Sequence, residues 1–169
     1  KRRIMNTFIQ DWPRKLQYLV TTFLVVLTIG VTIGLVYVQR TASSKPSVIS
    51  EHYRGSEIVD ELEIPEKFPK TINDLLLTTH THVISFAVIF LLLGCLTFFS
   101  SIFKGWFKTF FIIEPMVSSC ITFIAIWGIR FISPIFGYVA MASGILMYLS
   151  FYVIIAVLLI ESIPQNAKR

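Results

Sequence analysis

Charge is nearly missing from most of this chain. No charged residue falls between residues 16 and 38 or between 83 and 103, and Glu114 is the single one between 109 and 129. None falls between 131 and 160. With 54% hydrophobic residues, 14% aromatics and a mean hydropathy of +0.72, the composition excludes an ordinary soluble domain. Apolar runs of about 20 residues point to lipid. Cysteine is equally sparse. Cys95 and Cys120 both sit inside apolar runs, which argues against a disulfide framework and reads as packing by small hydrophobes. Catalytic signatures are missing too: there is no Walker-type glycine loop, no HExxH, no GxSxG and no CxxC. No nucleophile–base pair can be assembled, so the expectation is a protein that is not a stand-alone enzyme.

The charges that do occur are informative by position. A net charge of +5 raises the question of nucleic acid, but Lys1, Arg2, Arg3, Arg14 and Lys15 precede the first apolar run. Lys104 and Lys108 lie between the second and third, and the chain ends in "NAKR". Basic residues bracketing apolar spans are a topology signal, not a groove-binding patch. Residues 40 to 74 instead carry seven acids against five basics. The positive-inside rule then places both termini in the cytoplasm and the acidic segment outside. The expected partners are other membrane protein subunits and lipid, with no nucleic acid.

The fold class expected is all-α: an integral membrane four-helix bundle with one short extracytoplasmic loop domain. The organisation reads as a basic tail (1–15), a first span (16–38) and an acidic outer loop (39–71). A second span with an outer helical extension (72–103) leads to a cytoplasmic loop (104–108) and a third span (109–131). A short outer turn (132–134), a fourth span (135–161) and a tail (162–169) complete it. The first span exceeds the 7 to 15 apolar residues of a signal peptide core, and "YVQRTASSKPS" is a poor cleavage site, so an uncleaved anchor is expected. In the outer loop, "TASSKPS" reads as a flexible exit, "SEIVDELE" as one or two helical turns, and "IPEKFPK" as extended. "TIND" matches a capping pattern with Thr71 as N-cap and Asp74 at N3, so one helix of about 48 Å is predicted to run from there through the second span.

Two of the three histidines, His80 and His82, open that span in "LLLTTHTHVISF". On a helix they point about 200° apart, which argues against joint ligation of one metal. Thr71, Asp74, Thr78, His82 and Ser85 share one polar stripe, so His82 is expected to face the bundle and His80 the headgroups or the loop. His52, in the outer loop, could fold over either. Arg130, after Trp127, needs a partner at its depth: Asp74, a loop acid or an anionic ligand. A membrane-helix histidine with a nearby arginine is a haem b constellation, so His82, His80, His52, Arg130 and Asp74 are the candidate cofactor-binding residues. An interfacial role, or a zinc, copper or proton-handling site, is the competing reading.

Glu114, just ahead of Pro115, is a candidate for proton or ion handling, against simple pairing with Lys108 or Lys104. Glu161 reads as interfacial. Gly30 with Gly34 and Ala140 with Gly144 are small-xxx-small pairs that permit close helix packing. Tyr138, Tyr148, Tyr152, Met141 and Met147 could line a quinone or haem pocket, and Trp12 and Trp106 mark the inner interface. Apart from Ser118, Ser119 and Thr122 the midplane is apolar. That places a small transporter or channel component, and a purely structural or assembly factor, behind a non-catalytic subunit of a larger membrane complex. A respiratory, electron-transfer complex with a haem or quinone site at the outer interface is the plausible setting.

At "HYRGSE…FPKTINDLLLTTHTH…SFAVIFLLLG", followed by "SPIFGYVAMASGILMYLSF", the chain resembles a group of small bacterial membrane proteins with an outer YRG turn, a PKS-like entry and a THxH motif opening the second span. The resemblance covers about residues 52–151 and rests on Tyr53, Arg54, Gly55, Pro69, Lys70, Thr79, His80 and His82. Thr71 stands where that pattern has serine, and "LLIESIPQ" replaces an aromatic acidic tail. It implies a bacterial inner-membrane location and no particular activity.

Overall fold

The structure is a computed structural model and describes residues 8–42, 45–56 and 67–163. It is all-helical, with no strand among the described residues. A 3-10 turn, Ile9–Asp11, precedes five α-helices: α1 (Arg14–Ala42), α2 (Pro46–Arg54), α3 (Ile72–Phe98), α4 (Gly105–Phe131) and α5 (Phe136–Ser162). Four of these, α1, α3, α4 and α5, are long and apolar enough to cross a membrane. At 1.5 Å per residue, a 27-residue helix is about 40 Å long against about 30 Å of hydrocarbon.

The packing is uneven. Helices α3, α4 and α5 form the tight part, with α4 antiparallel to both neighbours. Phe90 and Leu93 of α3 meet Met147, Phe151, Ile154, Ile155 and Leu158 of α5 in the main core. Helix α1 joins that core through buried Val20 and Leu24, near the end where the 3-10 turn adds Ile9, with Phe23, Leu27 and Val31 partly buried against it. There Thr21 Oγ1 donates to the Ser162 carbonyl (3.3 Å) and lies 3.1 Å from its hydroxyl. Further along, Thr32 Oγ1 and Tyr152 Oη are 2.8 Å apart, but Gly30, Ile33, Gly34 and Tyr37 are exposed. Only 11% of the apolar window of α1 is buried within the chain, against 39% for α4 and for α5. In α1, then, one face packs on the core from Val20 to Val31, while Gly30, Ile33, Gly34 and Tyr37 are exposed.

The starts of α1 and α4 and the end of α5 lie at one end of the bundle, here the basic end. The turn 99–104 there is built by serines that compete with helical hydrogen bonding. Ser100 Oγ accepts from the Ile102 and Phe103 amides at 3.2 and 3.4 Å. Glu161 Oε1 accepts from Ser101 N (2.6 Å), Ser101 Oγ (2.5 Å) and Ile102 N (3.2 Å). Gly105, at φ +53°, supplies the left-handed backbone from which α4 starts. So α3 stops at Phe98, short of the expected Phe103, and α4 begins at Gly105, ahead of Thr109. Glu161, at the end of α5, is buried within the chain.

At the opposite end α2 lies across the α4–α5 turn. Ser50 Oγ donates to the Pro134 carbonyl at 2.9 Å. A Cβ at Gly137 would come within 2.6 Å of Ser50 Oγ and 2.8 Å of the Pro46 carbonyl, so glycine is what lets α2 approach. Residues 67–70 are tied to α2 by Ser56 N to Lys67 O (3.0 Å), Lys70 N to Tyr53 O (3.1 Å) and a Lys67–Glu51 ion pair at 3.2 Å. The "SEIVDELE" turns fall almost wholly outside the described residues.

Candidate functional site

Two polar groupings stand inside or at the edge of the spans. The first is at the α2 end. Thr71 caps α3 as expected, its hydroxyl accepting from Asp74 N at 3.1 Å. Two turns beyond Asp74, His82 Nδ1 is 2.9 Å from the Thr78 carbonyl. Its ring lies 5.6 Å from that of Phe123 on α4 and 6.1 Å from that of Phe86. His82 thus turns toward α4, yet the residue is exposed. Nδ1 is occupied by a backbone carbonyl, which leaves Nε2 for any further partner. Next to it, the indole of Trp127 donates to Thr79 Oγ1 at 2.9 Å, a cross-link between α3 and α4 that sequence reasoning missed.

Arg130 does not meet Asp74. Its Nε donates to the Lys70 carbonyl at 3.1 Å and its guanidinium sits 5.3 Å from the Phe131 ring centre. Asp74 itself is exposed. His80 is exposed as well, while His52 is half-buried on α2 with its ring edge-on to Tyr53. Burial, then the charges of Lys70 and Lys67, hold the His52 imidazole below its ordinary protonation range. No hydrogen bond or ring contact joins any two of the three histidines. Among the described residues no three His, Cys, Asp or Glu side chains converge as a metal-ligand set.

The second grouping lies within the bundle. Glu114 is 8% exposed, and Ser118 and Ser119 are 3% exposed each. Ser118 Oγ donates to Glu114 Oε1 at 2.5 Å. One turn on, Thr122 Oγ1 donates to the Ser118 carbonyl and lies 2.8 Å from Ser143 Oγ of α5. Glu114, Ser118 and Thr122 recur every four residues, so they form one seam along α4. The expected pairing of Glu114 with a lysine is not found. Lys108 Nζ instead donates to the carbonyls of Phe98 (3.1 Å) and Ser100 (2.7 Å), and Lys104 is exposed. Glu114 Oε2 is buried and has no hydrogen-bond partner.

The remaining candidates divide. Ala140 packs in a core with Ala125 and Ile129, but nothing lies within 4 Å of a Cβ placed at Gly144, Gly30 or Gly34. Cys95 and Cys120 are free thiols on exposed faces, not packing residues. Met147 is buried, Tyr148, Tyr152 and Met141 are half-buried, and Tyr138 is exposed. Trp12 packs edge-on to Phe99, whereas Trp106 is 71% exposed.

No curated protein and no solved structure matches the chain. A family model described as a transmembrane helical domain matches residues 43–169, from just past α1 through α5. With four apolar helices of spanning length and that match over most of its sequence, the chain is a multi-pass integral membrane protein and belongs to the transmembrane helical domain family Aq_1264_TM.

Proposed function

We propose that this chain is a non-catalytic subunit of a larger complex in a bacterial inner (cytoplasmic) membrane, and that α1 is the helix that meets its partner. The observation that carries the reading is the unequal packing of α1. One face of it, from Val20 to Val31, packs on the core, while Gly30 and Gly34 face open space. A GxxxG face allows two helix backbones to approach closely in lipid, where packing is the main source of association. The family match begins at residue 43, so α1 lies ahead of the matched residues. The basic end, with Arg14, Lys15 and Lys104, is taken as cytoplasmic by the positive-inside rule.

The test is co-purification from native membranes in mild detergent, comparing wild type with Gly34→Leu. A leucine on this face should weaken association by about 1–3 kcal/mol, roughly five- to 150-fold. Unchanged recovery of the partner would remove α1 as the interface.

One observation favours a haem b site as a second reading: His82 Nδ1 is held by the Thr78 carbonyl, which orients Nε2 as a ligand nitrogen. An absorption spectrum of the natively purified protein, oxidised and then dithionite-reduced, decides this. A Soret band with reduced α and β bands should vanish in His82→Ala and persist in His80→Ala. A featureless spectrum, or equal loss in both variants, rules the reading out.

A further inference from the structure

We infer that Arg130 and Lys70 form a phosphate-binding site at the α2 end of the bundle, and that its occupant is the headgroup of an anionic phospholipid. The inference is independent of α1 and its partner. Three features carry it. The first is depth. Ser118 is the middle residue of Gly105–Phe131, and Arg130 lies twelve residues beyond it, about 18 Å along the helix. The hydrocarbon layer ends about 15 Å from the midplane and the headgroups extend to about 20 Å, so Arg130 stands at the level of lipid phosphates.

The second feature is how the guanidinium is held. Its Nε donates to the Lys70 carbonyl at 3.1 Å, and its central carbon sits 5.3 Å from the Phe131 ring centre. These contacts fix the group in place and use one of its five N–H donors. Its two terminal nitrogens have no acceptor and no carboxylate partner among the described residues, although Arg130 is half-buried. What remains is an end-on fork that fits two oxygens of one phosphate. Lys70 adds a second cation on the segment that Arg130 grips. Its main chain is pinned by the Arg130 bond and by donation from Lys70 N to the Tyr53 carbonyl at 3.1 Å, while its ammonium forms no ion pair among the described residues. Of the described acids on this side, Glu51 is engaged by Ser56 and Lys67, and Asp74 forms no ion pair with another described residue.

The third feature is the apolar border. Phe68, between Lys67 and Lys70, is 71% exposed, and Ile132, just past Arg130, is 69% exposed. Ile72 and Phe131 are exposed as well. Cations bordered by exposed apolar side chains at headgroup depth suit an amphiphile, with its phosphate on Arg130 and Lys70 and its acyl chains on the apolar residues. Two cations facing one phosphate favour a lipid whose headgroup carries no positive charge of its own. Phosphatidylglycerol is therefore the fitting probe and phosphatidylcholine the poor one.

Native mass spectrometry of the full chain in delipidated detergent micelles, titrated with each lipid, tests this. The wild type is expected to bind phosphatidylglycerol several-fold more tightly than phosphatidylcholine. Arg130→Gln should weaken phosphatidylglycerol binding by about ten-fold, as the loss of a charge-assisted hydrogen bond does. Lys70→Gln should weaken it too, whereas Lys104→Gln, at the opposite end, should bind as the wild type does. Lys70 gives only main-chain groups to the recorded hydrogen bonds, so its variant decides the matter if Arg130→Gln does not fold. Equal binding by the wild type and the Arg130 and Lys70 variants overturns the site, and an equal loss in Lys104→Gln overturns it in favour of general surface charge. A wild type that takes up no phosphatidylglycerol leaves Arg130 to an acid of the chain and overturns it as well. Thermal unfolding in the same micelles separates the two sources of phosphate. Stabilisation by phosphatidylglycerol and not by inorganic phosphate is expected; equal stabilisation by inorganic phosphate, lost in Arg130→Gln, makes the occupant a soluble anion and overturns the lipid assignment.

Discussion

His52 and Glu114 show how position decides what an ionisable side chain does. His52 is half-buried on α2 with the Lys67 and Lys70 charges nearby, so the folded chain holds its proton less firmly than the unfolded chain does. The unfolded state then binds more protons once the pH falls below the ordinary imidazole value of about 6.5, and stability must decline as pH drops through that value. The full contribution is present above pH 6.5. Glu51 acts in a lower window, since its hydrogen bond from Ser56 and its contacts with Lys67 hold it below 4.5. Thermal stability in detergent should therefore weaken as the pH falls below about 6.5, and His52→Gln should flatten that slope. An unchanged slope would show that His52 does not control the α2 cap. Residue by residue, legibility in the sequence followed locality. The Thr71 cap is written in four consecutive residues and is present as read. The pairing of Glu114 with Lys108, six residues apart, is absent. The 99–104 turn supplies Lys108 with two carbonyls, and no local pattern announces that turn.

Among the elements, α2 is the one the sequence pattern did not reveal, although Lys45–Pro46 places proline at the start of a helix and Gly55 follows its end. A nine-residue helix in a polar loop has too few apolar positions for periodicity to register, and its stability comes from lying on Gly137. The 99–104 turn was hidden for a different reason. Its residues are apolar enough to extend a span, and what stops α3 at Phe98 is a carboxylate sixty residues away. Glu161 gathers the Ser101 amide, the Ser101 hydroxyl and the Ile102 amide on a single oxygen. Glu161→Ala would leave those donors without their acceptor in a part-buried turn, at a cost of about 1.5–3 kcal/mol. Glu161→Gln keeps an acceptor oxygen and should lose less. Unfolding by SDS titration of mixed micelles reads the difference, and equal losses for both would mean that packing of the side chain, not its hydrogen bonds, holds the turn.

For the whole molecule, the apolar runs between basic brackets carried the membrane bundle, because burial in lipid needs only length and composition. They did not carry the way α1 sits, because a span that is apolar nearly all round gives no indication of which face meets protein. The described packing assigns α1 a gradient instead. Leu24 is fully buried in the main core, while Ile33, nine residues on, is 64% exposed. Large-to-small substitution in a core costs about 2–5 kcal/mol, whereas substitution on an exposed face falls within about 0.5 kcal/mol. In the isolated chain, Leu24→Ala should therefore be strongly destabilising and Ile33→Ala nearly silent by the same SDS titration. If a partner helix docks on the Gly30 and Gly34 side, Ile33→Ala should stay silent for folding of the chain alone, and a cost for Gly34→Leu should appear only as lost association. Comparable folding losses at Leu24 and Ile33 would instead mean that α1 is packed along its whole length against this chain, which would withdraw the free face on which the subunit proposal stands.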